Sequence, residues 1–180
     1  MGPRRIAREL ALQFLFSCDM LGRLNMTEAE AAAAFDAFGR HFAVGVPGSR
    51  AALPYARTLA SGVCQRLAEL DAQIAARSHN WRLERMPMVD RAILRIAAYE
   101  LRFCDEVPAQ VAINEALEIA KRYSIAASVS FINGILDGMQ GDKIKVSSEY
   151  LHFIMLLLKP PYITYIGDGQ AHLHFIMLPL

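Results

Sequence analysis

A chain of 180 residues is long enough for one domain with a buried core, and 54% apolar against 21% charged residues excludes an intrinsically disordered chain. A formal net charge of +1 excludes a surface that is basic throughout, so affinity for a polyanion has to reside in a patch. Three cysteines, Cys18, Cys64 and Cys104, are odd in number, far apart and outside any CxxC, which points to small buried thiols in a reducing compartment.

The first element predicted is a helix from Pro3 to about Met20. Proline suits a helix start, where its missing N–H has no intrahelical partner. Within it, RRIARELALQFLF (Arg4 to Phe16) places three arginines among five residues. Ile6, Leu10 and Phe14 recur at helical spacing and anchor the helix, and Arg4, Arg5 and Arg8 lie off that line. The arginines lead straight into a pattern containing Glu9 and Gln13, unlike a signal peptide, and no apolar run reaches the ~18 residues of a membrane span. The expectation is a cytoplasmic protein with no membrane association.

Thr27 and Glu30 have the spacing of a capping box and open a second, alanine-rich helix that runs to about Phe42. GVPGSRAALP (Gly45 to Pro54) reads as a loop and is followed by a long helix, about Tyr55 to Arg77. A linker around His79, Asn80 and Trp81 leads to a helix from Pro87 to about Phe103. Val107 before Pro108 marks a connector. Helices of about Gln110 to Tyr123 and Ala127 to Met139 follow. No segment before residue 140 alternates with period two, so the fold class is all-α.

After Gly141 the character changes. LHFIML occurs twice, at Leu151 to Leu156 and Leu173 to Leu178, around YITYIGDGQAHL, which has the pattern of a strand, a Gly-Asp-Gly turn and a strand. The domain division is therefore 1–140, a helical domain, and 141–180, an appended apolar tail. A hairpin, an interaction segment and an extension foreign to the domain all remain open for this tail.

On the helix from Pro87 to Phe103, Arg91, Arg95 and Arg102 fall on one stripe, expected to face outward, opposite Val89, Ile93, Ile96 and Phe103. Between Arg77 and Arg102, six arginines face three acids, Glu84, Asp90 and Glu100. A solvated face and a grip on a polyanion are both consistent with that stripe. Glu100 points into the apolar face. It is either a catalytic acid or a structural acceptor for a nearby Tyr, Asn, Arg or backbone N–H, and the structural role is favoured because no second catalytic group has a motif around it. Phe131 lies at the edge of the core arc of its helix, as half-buried packing or as a base-stacking platform. The five histidines form no ligand set, and no HExxH, P-loop, GxSxG or GxGxxG is present. No catalytic residue, metal or cofactor is expected.

WRLERMPMVDRAILRIAAYELRFCDEVPAQVAINEALEIAKRYS, then FINGILD, together with RRIARELALQFLF, resemble the NusB family of bacterial transcription antitermination factors in order and spacing over about residues 3–140. The resemblance implies a double three-helix bundle without enzymatic activity. It implies binding to the boxA element of nascent single-stranded RNA together with NusE, a small-subunit ribosomal protein. The complex joins RNA polymerase and promotes readthrough of terminators, notably on ribosomal RNA operons. Residue by residue, it places Arg4, Arg5 and Arg8 in the RNA-binding segment and Phe131, of F-x-NG, against RNA. Arg95 and Lys121 match basic positions near that surface, and Phe16 and Asp90 match the NusE interface. On that placement, Asp90→Lys is expected to weaken NusE pairing and spare folding. Ile6 stands where many relatives carry a third adjacent arginine, and Ser130 stands where a lysine is frequent. Two alternatives keep the fold. One is an RNA-binding module of an RNA-modifying enzyme, although no cofactor-binding α/β domain follows residue 140. The other is a helical oligomerisation protein whose arginines pair across a subunit interface, as the homodimers of some family members cover the arginine segment.

Overall fold

The computed structural model describes residues 2–42, 47–78 and 82–140. The tail from 141 and the linker residues 79–81 lie outside the described residues, so the expectation of a hairpin in the tail is not addressed by them. Every regular element among the described residues is helical. The elements are α1 (Pro3–Met20), α2 (Glu28–Phe42), α3 (Ser49–Gln65), α4 (Leu67–Ala75), a 3-10 turn (Leu83–Arg85), α5 (Met88–Phe103), α6 (Ala109–Tyr123) and α7 (126–140).

Local chemistry sets the ends of these helices. Pro3 is the first residue of α1, as its sequence indicates. Gly22 closes α1 in the left-handed conformation, φ +64°. There Arg23 N–H donates to the Cys18 carbonyl (2.8 Å) and Gly22 N–H to the Asp19 carbonyl (3.1 Å), the paired bonds of a Schellman stop. At α2 the capping box is formed. Glu30 Oε2 accepts from Thr27 N–H at 2.8 Å and Thr27 Oγ1 accepts from Glu30 N–H at 3.3 Å.

Two expectations about the middle of the chain are corrected. The helix predicted from Tyr55 begins earlier, at Ser49, with Pro54 inside it. Pro54 removes a donor that would have served the Arg50 carbonyl, but both residues are exposed, so water can serve that group. The same helix does not run on to Arg77. It breaks at Arg66 (φ −109°, ψ 21°), and α4 begins at Leu67.

α1, α2 and α3 form one three-helix bundle, whose centre is a cluster of aromatic rings. Phe14 meets Phe35 edge-on at 5.4 Å and Phe38 at 5.6 Å. α5 and α6 pack together, and α7 buries Ile132, Ile135, Leu136 and Met139 in the same core, completing the second bundle. α4 packs on α5. α1 joins the bundles, with α3 on one side and α5 on the other. It is therefore buried almost all round, Ala7, Ala11 and Leu15 as well as Ile6, Leu10 and Phe14. α3 and α5 approach so closely that a Cβ on Gly62 would fall 2.1 Å from the Tyr99 ring.

Candidate nucleic-acid interface

The arginines of α1 line the mouth of a cleft of about 380 Å³ between the start of α1 and the start of α6, with Glu106, Val107, Pro108, Val111 and Glu115 opposite. Each arginine of the cleft is held differently. Arg4 is about half exposed, stacks on the Tyr55 ring with its guanidinium carbon 3.8 Å from the centroid, and approaches Glu106 at 3.8 Å. Arg5 is one-third exposed and bonds Glu115 bidentately, Nε to Oε2 at 2.8 Å and Nη2 to Oε1 at 2.7 Å.

Arg8 corrects an expectation. Placed by the family resemblance in the RNA-binding segment, it is 3% exposed and lies beneath the surface. Its position off the Ile6–Leu10–Phe14 line suggests a wet face, but that face of α1 is covered by α5. There Arg8 meets Glu100, itself 1% exposed, with Nε 2.9 Å from Oε2 and Nη2 2.8 Å from Oε1. The Tyr55 hydroxyl donates to the same carboxylate. Glu100 is thus the structural acceptor that its place on the apolar arc suggests, bonded by a tyrosine and an arginine. Burial, and then the bond to Glu100, push the Tyr55 phenol well above its ordinary value. Arg8 also reaches Glu115 at 3.4 Å through Nη1, so the buried pair and the rim pair form one network.

The arginine stripe on α5 is likewise corrected. It does not face outward: α4 and the end of α1 cover it. Arg95 is 5% exposed and donates bidentately to Asp71 of α4, at 2.7 and 2.9 Å, and to Asp19 of α1 at 3.2 Å. Arg91 donates to Asp19 at 2.9 Å and to the Leu83 carbonyl at 3.3 Å, tying down the 3-10 turn. Arg102 donates to Gln73 at 3.0 Å. A helical wheel locates these residues opposite the apolar arc but carries no information that a second helix lies there.

Asp90 is 1% exposed and accepts from Ser124 Oγ and from Ser128 Oγ, the latter at 2.6 Å. It clamps the link between α6 and α7, so the expectation that Asp90→Lys would spare folding is corrected: an ammonium there would face two hydroxyls in a dry pocket. Phe16 is half-buried on α1. Phe131 is half-buried and packs against the core from α7. Lys121 is well exposed on α6 and pairs with Glu118 at 2.6 Å. Beside it, Arg122 crosses to Glu9 of α1 at 3.0 Å.

All three cysteines are buried free thiols. Burial pushes Cys64 up to about 12 and Cys104 up to about 11, which suppresses the nucleophilic thiolate. Among the described residues no group of His, Cys, Asp and Glu has the makings of a metal site, and no helix is long and apolar enough to cross a membrane.

The sequence profile of the NusB family matches residues 5–141, three-quarters of the chain. The chain belongs to the NusB family. Among curated relatives, the transcription antitermination protein NusB of Desulfosudis oleivorans is 46% identical over 137 residues, covering 76% of this chain and 84% of that one. That of Trichlorobacter lovleyi is 45% identical over 141 residues, covering 78% and 92%. Among solved structures, NusB from T. maritima superposes with a TM-score of 0.65 at 31% identity, over 78% of this chain and 92% of that one. A crystal structure of the antitermination factors NusB and NusE in complex with double-stranded RNA superposes with a TM-score of 0.64 at 21% identity, over 79% and 98%, which shows the shared fold. The all-α double bundle expected from the resemblance is the fold observed.

Proposed function

We propose that the chain is a transcription antitermination factor that binds boxA-type single-stranded RNA together with NusE and acts on RNA polymerase as an adapter, without catalysis. The observation that carries this reading is the match to NusB antitermination proteins along nearly the whole helical domain, with an arginine-lined cleft at the start of α1. Arg4 and Arg5 are the cations that reach solvent there, and guanidinium groups pair with phosphate and stack on bases. Lys121 adds an exposed charge on α6 and Phe131 an aromatic edge for unstacked bases. Arg8 and Arg95, buried and paired, serve the surface from beneath by fixing α1 against α5 and α4. At the NusE interface, Phe16 contacts the partner directly and Asp90 acts by holding the link between α6 and α7.

The nascent transcript and the reduced thiols together favour the cytoplasm. Residues 1–140 form the binding domain and 141–180 an appendage to it. A chain ending at Gln140 is expected to bind RNA as the full chain does.

Two solvent-accessible arginines imply modest affinity that falls with salt. Replacing Arg4 and Arg5 by alanine should weaken binding of boxA-type RNA. It should also flatten the salt dependence by roughly 0.7 log unit for each phosphate that is no longer neutralised. The thermal midpoint should change little. An unchanged slope in the double variant would remove the arginines of α1 from the RNA interface.

A further inference from the structure

The three arginines of the cleft are all paired, Arg4 and Arg5 with carboxylates that line it and Arg8 with one buried behind it. Arg4 faces Glu106, Arg5 faces Glu115 and Arg8 faces Glu100. The segment that should attract a polyanion is therefore neutralised inside its own cleft. The three pairs are not equal. Arg8 and Glu100 are almost fully buried and lock two bundles together, so that pair stays closed. Arg4 and Glu106 are both more than half exposed and 3.8 Å apart, a pair that water screens to little effect. Arg5 and Glu115 lie between, at the rim, in the two-bond geometry that a guanidinium also offers to phosphate.

We infer that Glu115 sets the affinity of this cleft for RNA, by occupying on Arg5 the place that an RNA phosphate takes. The inference rests on the reading that Arg4 and Arg5 meet RNA. When a phosphate displaces the Glu115 carboxylate, the carboxylate keeps a partner, because Arg8 Nη1 is already 3.4 Å away. Without that second arginine the exchange would leave a part-buried carboxylate without a partner at the rim of the cleft. Glu115 is held below the usual carboxylate range by its hydrogen bond from Arg5, so it stays ionised at neutral pH and competes throughout that range. A polyanion that offers only charge must displace Glu115 with no other gain. An RNA that is also held by a partner protein or by base contacts can bear that cost. Glu115 thus weakens both kinds of binding by the same factor, and the cognate site, with its additional contacts, stays occupied where a site held by charge alone does not.

The test uses the full chain carrying Glu115→Gln, with Glu115→Ala as a second variant. Binding of a boxA-type RNA and of a scrambled RNA of equal length is measured across a salt series. Both variants should bind the scrambled RNA more tightly, on the order of tenfold at low salt, as expected when a charge-assisted bond no longer has to be broken. Their salt dependence should stay close to that of the unaltered chain, because Arg5 meets one phosphate in either case. The ratio of boxA-type to scrambled affinity should stay about the same, because both RNAs are relieved of the same cost. Unchanged or weaker binding of both RNAs by variants of normal thermal midpoint would overturn the role of Glu115. Arg5→Ala, run alongside, separates the two levels. If it alters neither affinity nor slope, the RNA reading of the cleft fails. If it weakens binding while the Glu115 variants do not strengthen it, only the inference about Glu115 fails.

Discussion

Glu100 sits in the middle of an apolar helix face, where an ionised side chain is stable only if its oxygens are occupied. Arg8 and Tyr55 occupy them, from α1 and α3 respectively. Removing one side of such a buried pair strands the other charge. Glu100→Ala should therefore lower unfolding free energy by about 3–5 kcal/mol, read from urea denaturation. The double variant Arg8→Met with Glu100→Leu should recover most of that loss, since neither charge is then buried. A cost below ~1 kcal/mol for Glu100→Ala would mean that the carboxylate is not held as described. Half of this arrangement is legible in the sequence. A carboxylate at a core position announces itself by periodicity, whereas its arginine lies 92 residues away and becomes a partner only when α1 packs on α5. Arg8 and Arg95 look solvated in the sequence for the same reason: a pattern of apolar residues defines one buried face and is silent about a second face covered by a neighbouring helix.

Helix ends that depend on local chemistry are legible in the sequence, and breaks imposed by packing are not. Pro3 and the Thr27–Glu30 box mark starts that the structure reproduces, while Gly22 closes α1 one residue beyond its cap. The break at Arg66 has neither glycine nor proline at it. It falls where α3 gives way to α4 and where the Arg66 guanidinium lies 4.0 Å from the centre of the Phe103 ring of α5. The contact between α3 and α5 also explains Gly62, a residue that weakens a helix by itself. A methyl group there would overlap the Tyr99 ring, at 2.1 Å from its nearest carbon. Gly62→Ala should thus destabilise the chain by about 1–3 kcal/mol, although alanine is the better helix former. Tyr99→Leu should relieve part of that cost. A more stable Gly62→Ala variant, measured by thermal and urea denaturation, would contradict so close an approach of the two helices.

Across the whole domain, α1 carries structure and, on the proposed reading, recognition. It bears Phe14 of the aromatic cluster of the first bundle, the buried arginine that ties it to the second, and the two arginines that open onto solvent at the cleft. The resemblance to the family suggests that double use, because it assigns arginines of α1 to an RNA-binding segment before any packing is known. The paired state of those arginines is not visible there, since Glu106 and Glu115 lie about a hundred residues further along the chain. A domain with so little unneutralised charge should depend on a partner for tight binding. The most direct measurement is the affinity of the full chain for boxA-type and scrambled RNA, with and without NusE, across a salt series. Tighter, salt-sensitive binding of the boxA-type RNA, enhanced by NusE, is the expected result. Equal binding of both RNAs under all conditions would contradict site-specific recognition with NusE and leave only a generic attraction to polyanions.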